Sequence, residues 1–180
     1  MKSFVIAALA VLAAPAAAPA HVVFATPRAA AGTSVAGALR VTHGCSGSAT
    51  VSLRVEIPES VTGARPQAKP GWTINIDRVP LKTPVPGEGG RMQTDRVSAI
   101  TWTGALPDDE FDDFVVLLKL PKTAGPLYFP ATQVCQAGRA EWRDVPVAGQ
   151  KAVHPAPVLT VTPADGMADM PGMDMGLMGH

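Results

Sequence analysis

The residue with the most distinctive chemistry is His21, which directly follows Ala18-Pro19-Ala20. This small-x-small pattern is typical of a signal-peptidase site, and cleavage after Ala20 would make His21 the first residue of the mature chain. A terminal histidine has an α-amine, whose ordinary pKa is about 8, next to its imidazole Nδ1. The two nitrogens close a six-membered chelate ring that suits the tetragonal preference of Cu(II). The alternative is that cleavage falls before an ordinary surface histidine.

A carboxylate is the usual third donor to Cu(II) held by two nitrogens, and Glu56 is the acidic residue we favour. It lies within a predicted strand, on the face opposite the apolar side chains, although an exposed strand glutamate would show the same pattern. The acidic run PDDEFDDF at 107–114 also resembles a metal site, but such a run between two strands is usually a solvated loop. Glu141 is the next candidate if Glu56 is not the ligand.

Five methionines and a histidine lie in the Gly- and Asp-rich segment 164–180. Thioethers are soft donors that select Cu(I), and they have no proton to lose at physiological pH. The segment has no apolar periodicity, so we expect it to be disordered without a ligand, with no core for its methionines to fill. It is predicted to bind Cu(I); the alternative is a solvated low-complexity end. The candidate ligands are Met167, Met170, Met173, Met175, Met178 and His180.

The chain has two cysteines, Cys45 and Cys135. An even count in a chain with an export signal favours one disulfide over two free thiols, and a thiolate metal site would need closer spacing. The bridge would close a loop of 90 residues (135 minus 45). On the chain-entropy model it would stabilise the fold by about 4 to 5 kcal/mol.

Charge and hydropathy narrow the classes of partner. The 15 basic and 15 acidic residues cancel, and Lys and Arg form no run or stripe, which argues against a nucleic-acid partner. The apolar run FVIAALAVLAA at 4–14 is too short to span a bilayer, and no later apolar stretch is long enough. Residues 1–20 are therefore predicted to be a signal peptide, which places a mature chain without a transmembrane segment in the periplasm or outside the cell.

Residues 21–163 are predicted to form one β-sandwich domain. Eight short stretches rich in β-branched residues alternate with Pro- and Gly-containing turns, and helical periodicity is almost absent. This pattern predicts an all-β, antiparallel, immunoglobulin-like sandwich. Alternation in two stretches predicts core faces made of Val35, Leu39 and Val41 and of Val51, Leu53, Val55 and Ile57.

Several other segments and side chains are assigned to loops or to packing. The Pro-, Gly- and charge-rich segments TGARPQAKPGW and LKTPVPGEGGRMQTD are expected to be loops. Trp72 and Trp102 are expected in the core, because large aromatic residues anchor sandwich cores. His43 would be a second imidazole on copper in the functional interpretation, but its place in HGC favours a structural role. His154 is expected in a solvated loop.

Taken in order, these segments resemble the YcnI (YncI) family of exported bacterial copper proteins. The blocks that carry the resemblance are HGC, PGW, ITWTG-LPDD, YFP-Q-C and W-DVP, within residues 21–162. The resemblance implies a β-sandwich that binds Cu(II) through a mono-histidine brace, completed by a glutamate and with a tryptophan close by. By position, it implies His21 as the brace, Glu56 as the glutamate and Trp142 as the indole; Trp142 would otherwise be a core residue.

These features together predict an exported, non-enzymatic copper-binding protein that serves copper supply or detoxification. Its expected partners are the copper ion and other periplasmic or membrane copper-trafficking proteins. The rival interpretation is a copper-dependent monooxygenase or reductase that uses the same brace, against which the sequence offers no convincing second brace histidine. A third interpretation is an exported adhesin-like sandwich with an incidental histidine.

Overall fold

The computed structural model describes residues 21–147 and 152–164. The predicted signal peptide and nearly all of the predicted tail lie outside these residues. Within them the chain forms twelve β-strands and one 3-10 turn at Glu88–Gly90, with no α-helix. The strands are β1 (Val22–Phe24), β2 (Arg28–Ala30), β3 (Ser34–Val41), β4 (Thr50–Glu56), β5 (Gly63–Pro66), β6 (Thr73–Pro86), β7 (Met92–Leu106), β8 (Asp112–Lys119), β9 (Gly125–Tyr128), β10 (Ala131–Cys135), β11 (Arg139–Trp142) and β12 (Val158–Thr162).

The strands pair into three sheets. Two are antiparallel: a four-stranded sheet in the order β1-β3-β8-β5 and a five-stranded sheet in the order β11-β10-β4-β7-β6. In the third sheet, β12 pairs with β2 in parallel and with β9 antiparallel. The prediction of an all-β fold is confirmed.

The core lies between the four- and five-stranded sheets. Phe114 of β8 meets Trp102 of β7 edge to face, with ring centroids 5.5 Å apart, and both side chains are fully buried. Trp72 also packs edge to face against Phe114, with a centroid distance of 4.9 Å. The expectation that Trp72 and Trp102 belong to the core is therefore confirmed, with Trp72 at its margin.

Side-chain alternation in β3 and β4 follows the predicted faces, with one exception. Leu39, Val41, Leu53 and Val55 are completely buried. At the start of β4 a register irregularity against β7 interrupts the alternation, so that Thr50 is buried while Val51 is partly exposed. A bulge of this kind shifts the facing of the residues that precede it.

The loops predicted in the Pro- and Gly-rich segments are wrong in part. Gly63–Pro66 forms β5, and residues 81–86 and 92–95 extend β6 and β7 into a long antiparallel hairpin, whereas 67–72 and 87–91 lie outside the strands. Both β5 and β6 are the last strands of their sheets. Proline lacks an N–H donor, which an edge strand tolerates on its outer side, so Pro66, Pro80 and Pro86 do not prevent strand formation there.

Candidate metal site

His21 is fixed at the start of β1 by its backbone. Its carbonyl accepts hydrogen bonds from the backbone N–H of Thr42 (3.4 Å) and from Thr42 Oγ1 (3.2 Å). Its own backbone nitrogen is 3.4 Å from Thr42 Oγ1, to which it donates. The residue is exposed to solvent. Both nitrogens of the predicted chelate, the main-chain nitrogen and the imidazole Nδ1, therefore lie on an anchored but open segment.

The imidazole of His21 stacks on the indole of Trp142. The ring centroids are 5.3 Å apart and the ring planes differ by 22°. Trp142 is the last residue of β11, opposite Ala131 of β10, and it is buried at 1% exposure. The structure thus brings together two of the predicted site residues. Trp142 also belongs to the core, which confirms the packing interpretation, whereas its place beside a copper ion stays a prediction.

The indole N–H of Trp142 is buried and has no hydrogen-bond partner among the described residues. Leaving a buried donor unpaired is costly, by about 1 to 3 kcal/mol. The indole N–H of Trp102 in the core is also buried without a partner among the described residues, so this feature does not by itself mark a site.

His154, which the sequence places in a solvated loop, is exposed but makes an edge contact with the same indole. Its ring centroid is 5.4 Å from that of Trp142, at 68° between planes. The backbone N–H groups of Val153 and His154 donate to Asp144 Oδ2 (2.9 and 2.8 Å), and the carbonyl of His154 accepts from the N–H groups of Arg143 and Asp144. The hydrogen bonds from His154 and Val153 lower the pKa of the Asp144 carboxyl below its ordinary value. No local sequence signal marks this arrangement, because its parts are nine or more residues apart.

Glu56 ends β4 and lies on the face opposite Val55, as the alternation predicted. Its Oε1 accepts a hydrogen bond of 2.7 Å from the guanidinium of Arg143, the residue after Trp142. Hydrogen bonding to Glu56 raises the pKa of Arg143 further above its already high value. No hydrogen bond or ion pair joins Glu56 to His21 within the described part of the chain. Glu56 is therefore linked by an ion pair to the residue that follows Trp142, and its carboxylate already has a cationic partner.

Glu141 and two carboxylates of the acidic run 107–114 are also paired with cations. Glu141 Oε1 lies 3.0 Å from Nη2 of Arg139. In the run 107–114, Asp113 forms a two-point ion pair with Arg40 at 2.8 Å for each contact, and Asp112 pairs with Lys69 at 2.6 Å. The hydrogen bond from Arg40 lowers the pKa of Asp113. Asp112 and Asp113 begin β8, so this run is only partly a loop.

The hydrogen bonds of His43 fit the structural role expected from its place in HGC. Its Nδ1 is 2.8 Å from the carbonyl oxygen of Gly44, and its own carbonyl accepts from Nε2 of the buried Gln133 (2.9 Å). Gln133 also donates to Thr50 Oγ1 at 2.7 Å. Next to this network, Cys45 and Cys135 form the predicted disulfide, with Cα atoms 6.0 Å apart. The disulfide prediction is confirmed.

Across residues 21–147 and 152–164, no three His, Cys, Asp or Glu side chains are grouped closely enough to hold a metal ion. A brace at His21 takes two donors from one residue, so it does not depend on such a group. The predicted tail ligands from Met167 to His180 lie outside the described residues. The described chain also contains no helix of the length and apolarity needed to cross a membrane.

A family model described as "Domain of unknown function (DUF1775)" matches residues 21–161. The chain belongs to this family. DUF1775 is the domain of the YcnI family, so the resemblance noted from the sequence blocks is confirmed. The match begins at His21 and ends within β12, which is the extent of the strands seen here.

A protein from Nocardia farcinica, whose crystal structure is described as revealing an immunoglobulin-like fold, is similar in structure. The sequences are 30% identical, the TM-score is 0.58, and the alignment covers 78% of this chain and 97% of the other. The predicted immunoglobulin-like fold is confirmed. Comparison with curated proteins found no match.

Proposed function

We propose that this DUF1775 protein is an exported copper-binding protein that holds Cu(II) at His21 after removal of residues 1–20. The proposal rests on the stacking of an exposed, backbone-anchored His21 on the buried Trp142. Removal of residues 1–20 turns the amide nitrogen of His21 into an amine, which with Nδ1 closes a six-membered chelate ring suited to Cu(II). The disulfide is consistent with an oxidising compartment.

The carboxylate of Glu56 is proposed as a further Cu(II) donor, in competition with Arg143. Glu56 and Trp142 are brought into one region by register: Trp142 is opposite Ala131, and Ala131 is opposite Val55, the neighbour of Glu56. Coordination by Glu56 would require its ion pair with Arg143 to open. Because that pair is exposed, opening it is expected to cost less than about 1 kcal/mol.

The methionine-rich tail is proposed to capture Cu(I), which makes the protein a carrier for both oxidation states. Support comes from the donor chemistry: five thioethers, which prefer Cu(I), lie within residues 167–178. Transfer to or from other copper-trafficking proteins, without chemical turnover, is the role that this donor set suits.

The test is Cu(II) binding by the processed protein beginning at His21, compared with a form that carries one extra N-terminal glycine. The extra residue converts the amine of His21 into a peptide nitrogen and leaves the imidazole in place. We expect altered EPR hyperfine parameters, because the amine of His21 is no longer a donor and the glycine amine and the intervening peptide nitrogen take its place. Unchanged affinity and spectrum would refute the brace. Mass spectrometry of the exported protein checks that its first residue is His21.

A further inference from the structure

A concave surface lies at the end of the molecule opposite His21. It is a groove of about 530 Å³ bounded by β5, the end of β8 with residues 120–122, and the turn of the β6–β7 hairpin. Ser34, the first residue of β3, lines it, whereas His21 lies beside Thr42, just past the last residue of β3. Eight strand residues separate the two sites by about 25 Å.

The groove is basic and partly apolar. Its charged lining residues are Arg65, Lys119 and Lys122, and all are cations. Its apolar lining includes Leu117, whose side chain is 45% exposed although it lies within a strand. A ligand that combines anionic groups with small apolar side chains would match both parts of this lining.

The end of β12 delivers the chain to this groove. The carbonyl of Thr162, the last residue of β12, accepts a hydrogen bond from the backbone N–H of Ala31 (2.9 Å). Gly32, which follows Ala31, lines the groove. The described chain ends at Ala164, two residues after Thr162. The 16 residues that follow can span up to about 50 Å, far more than the groove requires.

Those 16 residues have the matching chemistry. Segment 165–180 contains three aspartates, Asp165, Asp169 and Asp174, and neither lysine nor arginine. Its five methionines are flexible apolar side chains that adapt to irregular surfaces. Because the segment is tethered beside the groove, its effective concentration there is in the millimolar range, so weak contacts suffice for occupancy.

We propose that segment 165–180 docks in this groove within the same molecule. Its aspartates lie toward Lys119 and Lys122, and its methionines lie against the apolar lining. Docking holds the tail about 25 Å from His21 and covers its thioethers. The inference does not depend on copper binding, because it rests on charge, reach and shape alone.

The test uses NMR of the metal-free chain 21–180 with two reciprocal sets of reporters. Replacing Asp165, Asp169 and Asp174 with Asn removes the tail charge without changing side-chain shape, and should shift the backbone amides of Gly63 and Gly87 in the groove. The double variant K119E/K122E should return the tail methionine methyl resonances to random-coil positions. The matched control K82E changes an exposed lysine of β6 that is not part of the groove lining, and should leave those methyl resonances unmoved.

Raising the salt concentration should weaken docking, since the contacts are exposed ion pairs. Docking within one molecule predicts shifts that do not change on dilution; concentration-dependent shifts would mean that a second copy supplies the tail, which overturns the proposal. Tail methyl groups at random-coil positions in the unmodified chain, or groove amides unaffected by the Asn substitutions, would also overturn it. So would groove amides that respond to inorganic phosphate but not to the tail charge.

Discussion

At the scale of single residues, the stacking of His21 on Trp142 sets the orientation of a side chain that is otherwise open to solvent. Aromatic pairs with centroids 4.5 to 7 Å apart gain about 0.5 to 1.5 kcal/mol beyond burial alone. A ring that is already oriented loses less rotational freedom when it binds a ligand. Trp142 can provide this surface because its own position is fixed by the core.

Arg143 is the residue that we expect to limit the access of copper to Glu56. Replacing Arg143 with Ala frees the carboxylate and removes a positive charge next to the proposed site, so Cu(II) affinity should rise by about two- to five-fold, the range for one exposed ion pair. The matched control is Arg139→Ala, which frees Glu141 in the same way. Competition titration with a Cu(II) chelator measures both variants. An equal rise in both would contradict a specific role for Glu56.

The sequence was sufficient to predict the disulfide, and it singled out His21 and Trp142, which the structure brings into contact; their role as a metal site stays a prediction. The signals for His21 and for Cys45–Cys135 are local or compositional: a cleavage pattern and an even cysteine count. Trp142 came from the resemblance to a family. The contacts of His154 with Trp142 and of Arg143 with Glu56 join residues from different strands and loops, so no short-range pattern indicates them.

At the scale of secondary-structure elements, Asp144 fixes the segment that places His154 against Trp142. Replacing Asp144 with Ala removes the acceptor of two backbone hydrogen bonds and should loosen residues 152–154, while the backbone hydrogen bonds to the carbonyls of His154 and Asp144 keep the rest of the segment in place. We expect the amide resonances of Val153 and His154 to move upfield and the ring-current shift that Trp142 causes in the His154 ring to decrease. Replacing Asp109, a turn carboxylate, with Ala is the control and should change neither.

The same hydrogen bonds predict a pH dependence. They lower the pKa of Asp144, so their stabilisation is fully present above the unfolded-state pKa of about 3.9 and is lost as pH falls through the lower folded value. In the unsubstituted chain, the upfield movement of the two amides should therefore have its midpoint below that of an ordinary aspartate. A midpoint at or above the ordinary value would show that the hydrogen bonds do not form in solution.

The elements also show where sequence patterns are reliable. Alternation predicted the buried faces of β3 and of most of β4, because each strand has one face on the core. Composition failed for β5 and for the turn end of the β6–β7 hairpin at 81–86 and 92–95, whose prolines and glycines indicated loops. Position at the edge of a sheet decides whether proline is tolerated, and edge position is a property of the assembled topology.

At the scale of the whole molecule, the disulfide joins the connection between β3 and β4 to the end of β10 and closes a 90-residue loop. Replacing both Cys45 and Cys135 with Ala should lower the free energy of unfolding by about 4 kcal/mol and the melting temperature by roughly 10 °C. Cu(II) affinity should persist, because neither sulfur contributes to the proposed site. Thermal denaturation and a Cu(II) titration measure the two effects. Loss of copper binding in a folded double variant would show that the bridge shapes the site.

The two proposed copper functions lie at opposite ends of the sandwich, with His21 at the end of β3 and the tail leaving beside its beginning. A variant that removes one of these functions should therefore leave the other intact. Glu56→Gln keeps the side-chain shape but removes the anionic donor, so it should weaken Cu(II) binding and leave Cu(I) capture unchanged. Deleting residues 164–180 should abolish high-affinity Cu(I) binding and leave the Cu(II) EPR spectrum unchanged, because thioethers prefer Cu(I) whereas nitrogen and anionic oxygen prefer Cu(II). Titrations with separate Cu(I) and Cu(II) chelators distinguish the effects. If Glu56→Gln has no effect on Cu(II), the third ligand is another carboxylate, with Glu141 next; if the deletion leaves Cu(I) binding intact, the methionines do not form the Cu(I) site.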